Sequence, residues 1–135
     1  MALDHARRAW ATRSSSHEAV GEWFGRPLLK ANEYRSLVEG IGSRTVSAVD
    51  AAVLERRFRT LRDTLETPQP PAGFEGVHSL LRRALQLAAG AARLRRQSED
   101  PARARDAASA AAGALMLLDE TEAKLGRLLS YPELP

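Results

Sequence analysis

The chain contains no cysteine, which excludes a disulfide framework, a thiolate metal site and a thiol nucleophile. Aromatic residues make up only 5% of it, and β-branched residues are also scarce, so a β-sheet protein is disfavoured. No apolar run approaches the roughly 20 residues that cross a bilayer. We therefore expect an α-helical protein without a transmembrane segment.

The sequence also lacks the usual marks of an enzyme or a secreted protein. It contains no phosphate loop, Gly-x-Gly-x-x-Gly fingerprint, Gly-x-Ser-x-Gly elbow or zinc motif, so we predict no catalysis and no cofactor. The N-terminal residues lack the apolar core of a signal peptide. A cytoplasmic location is the default expectation, and an extracytoplasmic one stays open if a leader was removed.

Alanine, leucine, arginine and glutamate, all strong helix formers, dominate the composition. The 135 residues suffice for one domain. We predict an all-α fold, an antiparallel bundle of three to four long helices that ends in an Ala-rich helical hairpin. The predicted segments are an N-terminal part that is hard to place (1–25), a long helix (28–66), the hairpin (72–129) and a tail (130–135).

Two interruptions leave alternatives in the first half. The triplet Ser14–Ser16 is a candidate cap for a helix that begins near His17. We expect Gly25 and the Arg26-Pro27 pair to interrupt this helix, and Pro27 to open the next one. Glycines 40 and 42 weaken the following run. Because no proline interrupts that run, we favour one long helix, continuous or kinked; the alternative is a second helix capped by Ser47.

The hairpin is the clearest feature of the sequence. Prolines 68, 70 and 71 separate it from the preceding helix; its first helix is expected from Ala72 to Gln97, and Asp100-Pro101 opens a second that runs to about Leu129. Around this turn, facing residues have numbers that add to roughly 199, which pairs alanine with alanine and leucine with leucine. The predicted seam of the last helix is Ala104, Ala108, Ala111, Leu115, Leu118, Glu122, Leu125 and Leu129.

That register places His78 opposite Glu122, with Asp119 one turn away. One histidine and two carboxylates between helices are a candidate metal or acid–base site. The alternative is a structural His–Glu hydrogen bond, which we favour because the chain has no second histidine at i+4 and no Glu-x-x-His pair.

Arginines concentrate at the hairpin turn, while the end of the last helix is acidic. Arg93, Arg95, Arg96, Arg103 and Arg105 are candidate contacts for nucleic acid or another anionic surface. The alternative is a solvated surface whose cations stabilise the C-terminus of the first hairpin helix.

Trp23-Phe24-Gly25 resembles the Trp-x-Gly signature of the small secreted WXG-type helical hairpins, where the motif occupies the turn between two helices. The resemblance covers these three residues. The chain departs from the family in its length, in its additional hairpin and in Val38 where an acidic residue would follow Tyr34. We favour a helix end anchored in the core.

These observations predict a non-catalytic interaction or scaffold module that binds a protein partner or forms a homodimer. One alternative is a nucleic-acid or anionic-surface binder acting through the arginine-rich turn. The other is a small-ligand or metal carrier near His78, Asp119 and Glu122.

Overall fold

The computed structural model describes residues 20–66, 69–97 and 100–130. Within these ranges the chain is helical and contains no strand, which confirms the all-α bundle. The first described helix, α1, includes residues 20–33, and those that follow are α2 (Arg35–Ser43), α3 (Ala48–Glu66), α4 (Glu75–Gln97) and α5 (Pro101–Ser130). The predicted cap at Ser14–Ser16 and the tail beyond Ser130 lie outside the described residues.

Helix α4 packs between α3 and α5, and α2 packs against α5 and more lightly against α4. Helix α1 lies along α3, where the Tyr34 ring meets the Phe58 ring edge-on at 5.7 Å between centroids. Tyr34, with φ −97° and ψ 1°, separates α1 from α2. The α1–α2 arm is therefore the fourth side of an antiparallel bundle.

Helix α1 passes through Gly25 and Pro27, so the predicted interruption there is wrong. A proline inside a helix removes a backbone hydrogen bond and costs about 3 kcal/mol. Pro27 and its neighbours Phe24, Leu28 and Ala31 are all buried, and each large apolar side chain contributes about 1.5–3 kcal/mol. Burial offsets the local penalty. The Trp-x-Gly motif thus lies inside a helix rather than in a turn: Phe24 is a core anchor, as favoured, but not at a helix end.

The expected long helix over residues 28–66 is also wrong, because the chain reverses between α2 and α3. Arg44 adopts a left-handed conformation with φ 61°. The Thr45 N–H donates to the Gly40 carbonyl at 2.9 Å and the Arg44 N–H to the Ile41 carbonyl at 3.4 Å, which is the pattern of a Schellman motif. The alternative cap at Ser47 is confirmed, since its hydroxyl accepts the Asp50 N–H at 3.1 Å.

Helix α4 begins at Glu75, three residues later than predicted. The Phe74 N–H donates to the Pro71 carbonyl at 3.0 Å, and Gly73 between them has φ 90°. This turn needs a glycine at its third position, as type II turns do. The Gly73 N–H then donates to the Glu75 carboxylate at 3.1 Å, which fixes the start of the helix.

The hairpin of α4 and α5 follows the predicted register. The Ala102 N–H donates to the Asp100 side chain at 3.0 Å, so the predicted cap is confirmed, and α5 runs from Pro101 to Ser130. A methyl group built on Gly113 would touch Leu87. These two residue numbers add to 200, close to the predicted sum of 199. The buried alanines lie near the turn and the buried leucines farther away, as predicted.

The buried face of α5 is rotated relative to the predicted seam: it keeps Ala111, Leu118 and Leu125, but residues 107, 114 and 121 are buried in place of 108, 115 and 122. The buried residues of α5 are Ala107, Ala111, Ala114, Leu117, Leu118, Thr121 and Leu125. Glu122 is exposed, and Thr121 is buried instead, its hydroxyl donating to the Leu117 carbonyl at 2.6 Å. The rotation follows from packing, because α5 contacts α2 as well as α4, and a hairpin register alone contains no information on the second neighbour.

No helix among the described residues is both long enough and apolar enough to cross a membrane.

Candidate functional site

The predicted cluster of His78, Asp119 and Glu122 does not form. His78 lies on α4 and its Nε2 is 2.7 Å from the Leu65 carbonyl oxygen of α3. The side chain therefore joins α4 to the C-terminal turn of α3. The favoured His–Glu hydrogen bond is wrong for the same reason.

The two carboxylates instead join α5 to the α1–α2 arm. Arg35 Nη1 donates to Asp119 Oδ1 at 2.8 Å, and Asn32 Nδ2 donates to Glu122 Oε1 at 2.7 Å. Arg35 Nη2 lies 3.8 Å from Glu122 Oε1. In the described part of the chain, no group of three histidine or acidic side chains has an arrangement that holds a metal ion.

The arginines of the hairpin turn are not one uncompensated patch. Arg95 Nε donates to the Val46 carbonyl of the α2–α3 turn at 2.9 Å. Arg96 donates from Nη2 to both Glu55 oxygens, at 2.9 and 3.3 Å, and from Nε to Oε1 at 3.2 Å. Both side chains therefore hold helices together. The prediction of a free basic patch considered only charges nearby in sequence, whereas the partners of these arginines are more than 40 residues away.

The other three arginines, Arg93, Arg103 and Arg105, are exposed and lie in different parts of the bundle. Arg103 and Arg105 lie in the first two turns of α5. Arg93 lines a groove with two arginines of α3. The predicted anion-binding turn is thus reduced, and Arg93 instead lines a cavity between α3 and α4 with Arg59 and Arg62.

Two adjacent cavities lie between α1 and α3, with volumes of about 570 and 410 Å³. They share Arg26, Pro27 and Thr64, and we call them together the α1–α3 groove. Its remaining lining residues are Glu22, Trp23, Lys30, Tyr34, Arg57, Thr60, Leu61 and Leu65. From Trp23 to Tyr34 the groove follows roughly 16 Å of helix, at 1.5 Å per residue.

The α1–α3 groove combines an apolar floor with a basic rim. Pro27 and Leu65 are buried and Leu61 is half-buried, whereas Arg26, Lys30 and Arg57 are exposed. Lys30 forms an exposed ion pair with Glu33 at 3.7 Å, and no ion pair of Arg26 or Arg57 occurs among the described residues. Such a surface is complementary to an amphipathic anion.

Trp23 adds a polar feature to the groove. Its indole Nε1 is buried and has no hydrogen-bond partner in the described ranges. A buried donor without an acceptor costs roughly 1–3 kcal/mol. An acceptor brought by a ligand would remove that penalty.

A smaller cavity of about 140 Å³ lies on the outer side of the α3–α4 pair. We call it the arginine groove; its lining residues are Arg59, Arg62, Gln86, Ala89, Gly90 and Arg93. The α4 members recur at helical spacing, which places them on one face. The sequence contained this signal, but recognising it required knowing that α3 and α4 are neighbours.

Comparison with protein-family models, with curated proteins and with solved structures finds no significant match to this chain.

Proposed function

We propose that this protein is a non-catalytic interaction module that binds an acidic, amphipathic helix of a protein partner in the α1–α3 groove. The observation that carries the proposal is the combination of an apolar floor at Pro27, Leu61 and Leu65 with three cations along the rim. Helix-in-groove recognition uses apolar anchors at i, i+3, i+4 and i+7, which fit a floor about three helical turns long.

The charge of the groove is expected to determine which helices it binds. Arg26, Lys30 and Arg57 outnumber the groove's one acidic lining residue, Glu22. An acidic helix gains from this field, whereas a basic helix with the same apolar face encounters like charges, which cost several kcal/mol when juxtaposed. Trp23 Nε1, which has no acceptor among the described residues, supplies a donor for a carboxylate or carbonyl oxygen of the partner.

Trp23 also allows a direct test. In a Trp10→Phe variant, Trp23 is the remaining tryptophan, so its emission reports on the groove. The probe is an amphipathic peptide with leucines at i, i+3, i+4 and i+7 and glutamates on the polar face, compared with a peptide in which lysines replace the glutamates. We expect saturable quenching or a spectral shift with the acidic peptide and a much weaker response with the basic one.

Two substitutions locate the binding. Arg57→Glu reverses a rim charge and is expected to weaken acidic-peptide binding about tenfold or more. Arg83→Glu, at an exposed position of α4 outside the groove, is the matched control and should leave binding unchanged. Equal affinity for both peptides, or equal loss in both variants, would contradict the proposal.

Self-association of the chain through this groove is the competing outcome. A native mass spectrum at micromolar concentration separates the two: a monomer agrees with a groove for a different protein, and a dimer broken by Arg57→Glu assigns the groove to a second copy.

A further inference from the structure

The arginine groove lies between two interhelix ion pairs on the same side of α3 and α4. Arg82 pairs with Glu66 at 3.7 Å beyond one end, and Arg96 pairs with Glu55 beyond the other. Each of these pairs joins a cation of α4 to a carboxylate of α3. Between them, Arg59 and Arg62 of α3 and Arg93 of α4 converge with no α4 carboxylate opposite.

The nearby acids leave the three arginines with a surplus of positive charge. Glu55 lies 3.7 Å from Arg59 but already accepts three hydrogen bonds from Arg96. Asp63 is the other acid, 3.3 Å from Arg62 and largely exposed. No hydrogen bond or ion pair of Arg93 occurs within the described ranges.

Hydrogen-bond donors are also in excess. Arg62 Nε is buried and has no acceptor in the described ranges. Gln86 adds an amide to the lining, while Ala89 and Gly90 form a wall with small side chains. A methyl group built on Gly90 would meet nothing within 4 Å, so the space above this residue is open.

We propose that the arginine groove binds a phosphate group carried as the free dianion or as a monoester. Such a group has a charge of about −1.5 to −2 at neutral pH and three strong acceptor oxygens, which suit planar guanidinium forks on two sides of a small cavity. The cavity of about 140 Å³ limits the site to the phosphate group and a few adjoining atoms. This site is separate from the α1–α3 groove and does not depend on the function proposed there.

The test is calorimetric titration of the full chain with three probes at constant ionic strength: inorganic phosphate, phenyl phosphate and dimethyl phosphate. We expect the first two to bind and dimethyl phosphate, a singly charged diester, to bind at least tenfold more weakly. Tighter binding of phenyl phosphate assigns the site to a monoester, and tighter binding of inorganic phosphate assigns it to the free ion. Equal binding of the diester would overturn the proposal and point to a nucleic-acid backbone instead.

Two variants test the location by different means. Arg93→Gln removes one exposed cation and is expected to weaken phenyl phosphate binding about ten- to a hundredfold, the range for a hydrogen bond to a charged group. Gly90→Leu keeps all three arginines and fills the open space, so binding should be lost while helix propensity improves.

Each variant has a matched control on α5. Arg105→Gln removes an exposed arginine near the hairpin turn, and Gly126→Leu fills open space at an exposed glycine. Both controls should bind like the parent chain. If Gly90→Leu binds normally, or if Arg105→Gln weakens binding as much as Arg93→Gln, the phosphate contacts a diffuse positive surface and the proposed site is wrong.

Discussion

Glu55 on α3 and Arg96 on α4 form an asymmetric ion pair: the Glu55 side chain is 5% exposed, and that of Arg96 is 40% exposed. Three hydrogen bonds join them. The carboxylate depends on the pair because it has lost water, whereas the guanidinium can return to solvent. Removing Arg96 is therefore expected to cost more stability than removing the charge of Glu55.

Arg96→Met should destabilise the protein more than Glu55→Gln. The first leaves a buried carboxylate whose remaining ion-pair partner among the described residues is Arg59, at 3.7 Å, and should cost roughly 2–3 kcal/mol, below the 3–5 kcal/mol of a fully buried pair. The second leaves an arginine that water reaches and a neutral amide that still accepts a hydrogen bond, at a cost of about 1 kcal/mol. Urea unfolding of both variants and the double variant measures these costs. Strict additivity in the double variant would show that the two residues are not coupled.

Gly40→Ala should disrupt the α2–α3 turn. A methyl group at Gly40 would lie 2.6 Å from Val46 Cγ2 and 2.8 Å from Thr45 Oγ1, and Val46 is buried. Overpacking of this kind costs about 1–3 kcal/mol. Gly42→Ala is the control in the same helix: it meets nothing within 4 Å and should stabilise the protein by about 0.5–1 kcal/mol. Thermal melts of the pair should shift in opposite directions, and a shift in the same direction would contradict the close approach of the turn to α2.

Ala111→Leu tests the close approach of α4 and α5. Ala111 is 1% exposed within the alanine-rich part of the hairpin, so added methylene groups should cost about 1–3 kcal/mol. Ala112→Leu makes the same change at an exposed neighbour and should be nearly neutral. Equal melting temperatures for the two variants would mean that the hairpin register is wrong.

The parts of the fold that were predicted correctly have local causes. Asp100-Pro101 determines the start of α5 through one side chain and one fixed φ angle. The size sorting of alanine and leucine follows from a short turn, because antiparallel neighbours then pair by position alone. Both features can be read from a few adjacent residues.

The break between α2 and α3 was only the less favoured alternative, because its end signal is unusual. Schellman motifs mostly place glycine in the left-handed position, but here Arg44 occupies it. Burial of Val46 and the contact between its carbonyl and Arg95 hold the turn, and both depend on the tertiary fold.

The candidate sites were predicted least well, for a related reason. His78 and Glu122 were paired from the α4–α5 register, but each side chain contacts a different third element: α3 for His78 and α1 for Glu122. A hairpin register predicts which residues lie at the same height along the two helices, but not the direction in which each side chain points. The two grooves likewise require knowledge of which helices are neighbours.

The most direct test of the proposed function is a map of backbone amide chemical shifts recorded while the acidic amphipathic peptide is titrated into the full chain. The account predicts saturable changes confined to residues 22–34 and 57–65, the two walls of the α1–α3 groove. Changes centred on α4 and α5, or no change up to millimolar peptide, would contradict it.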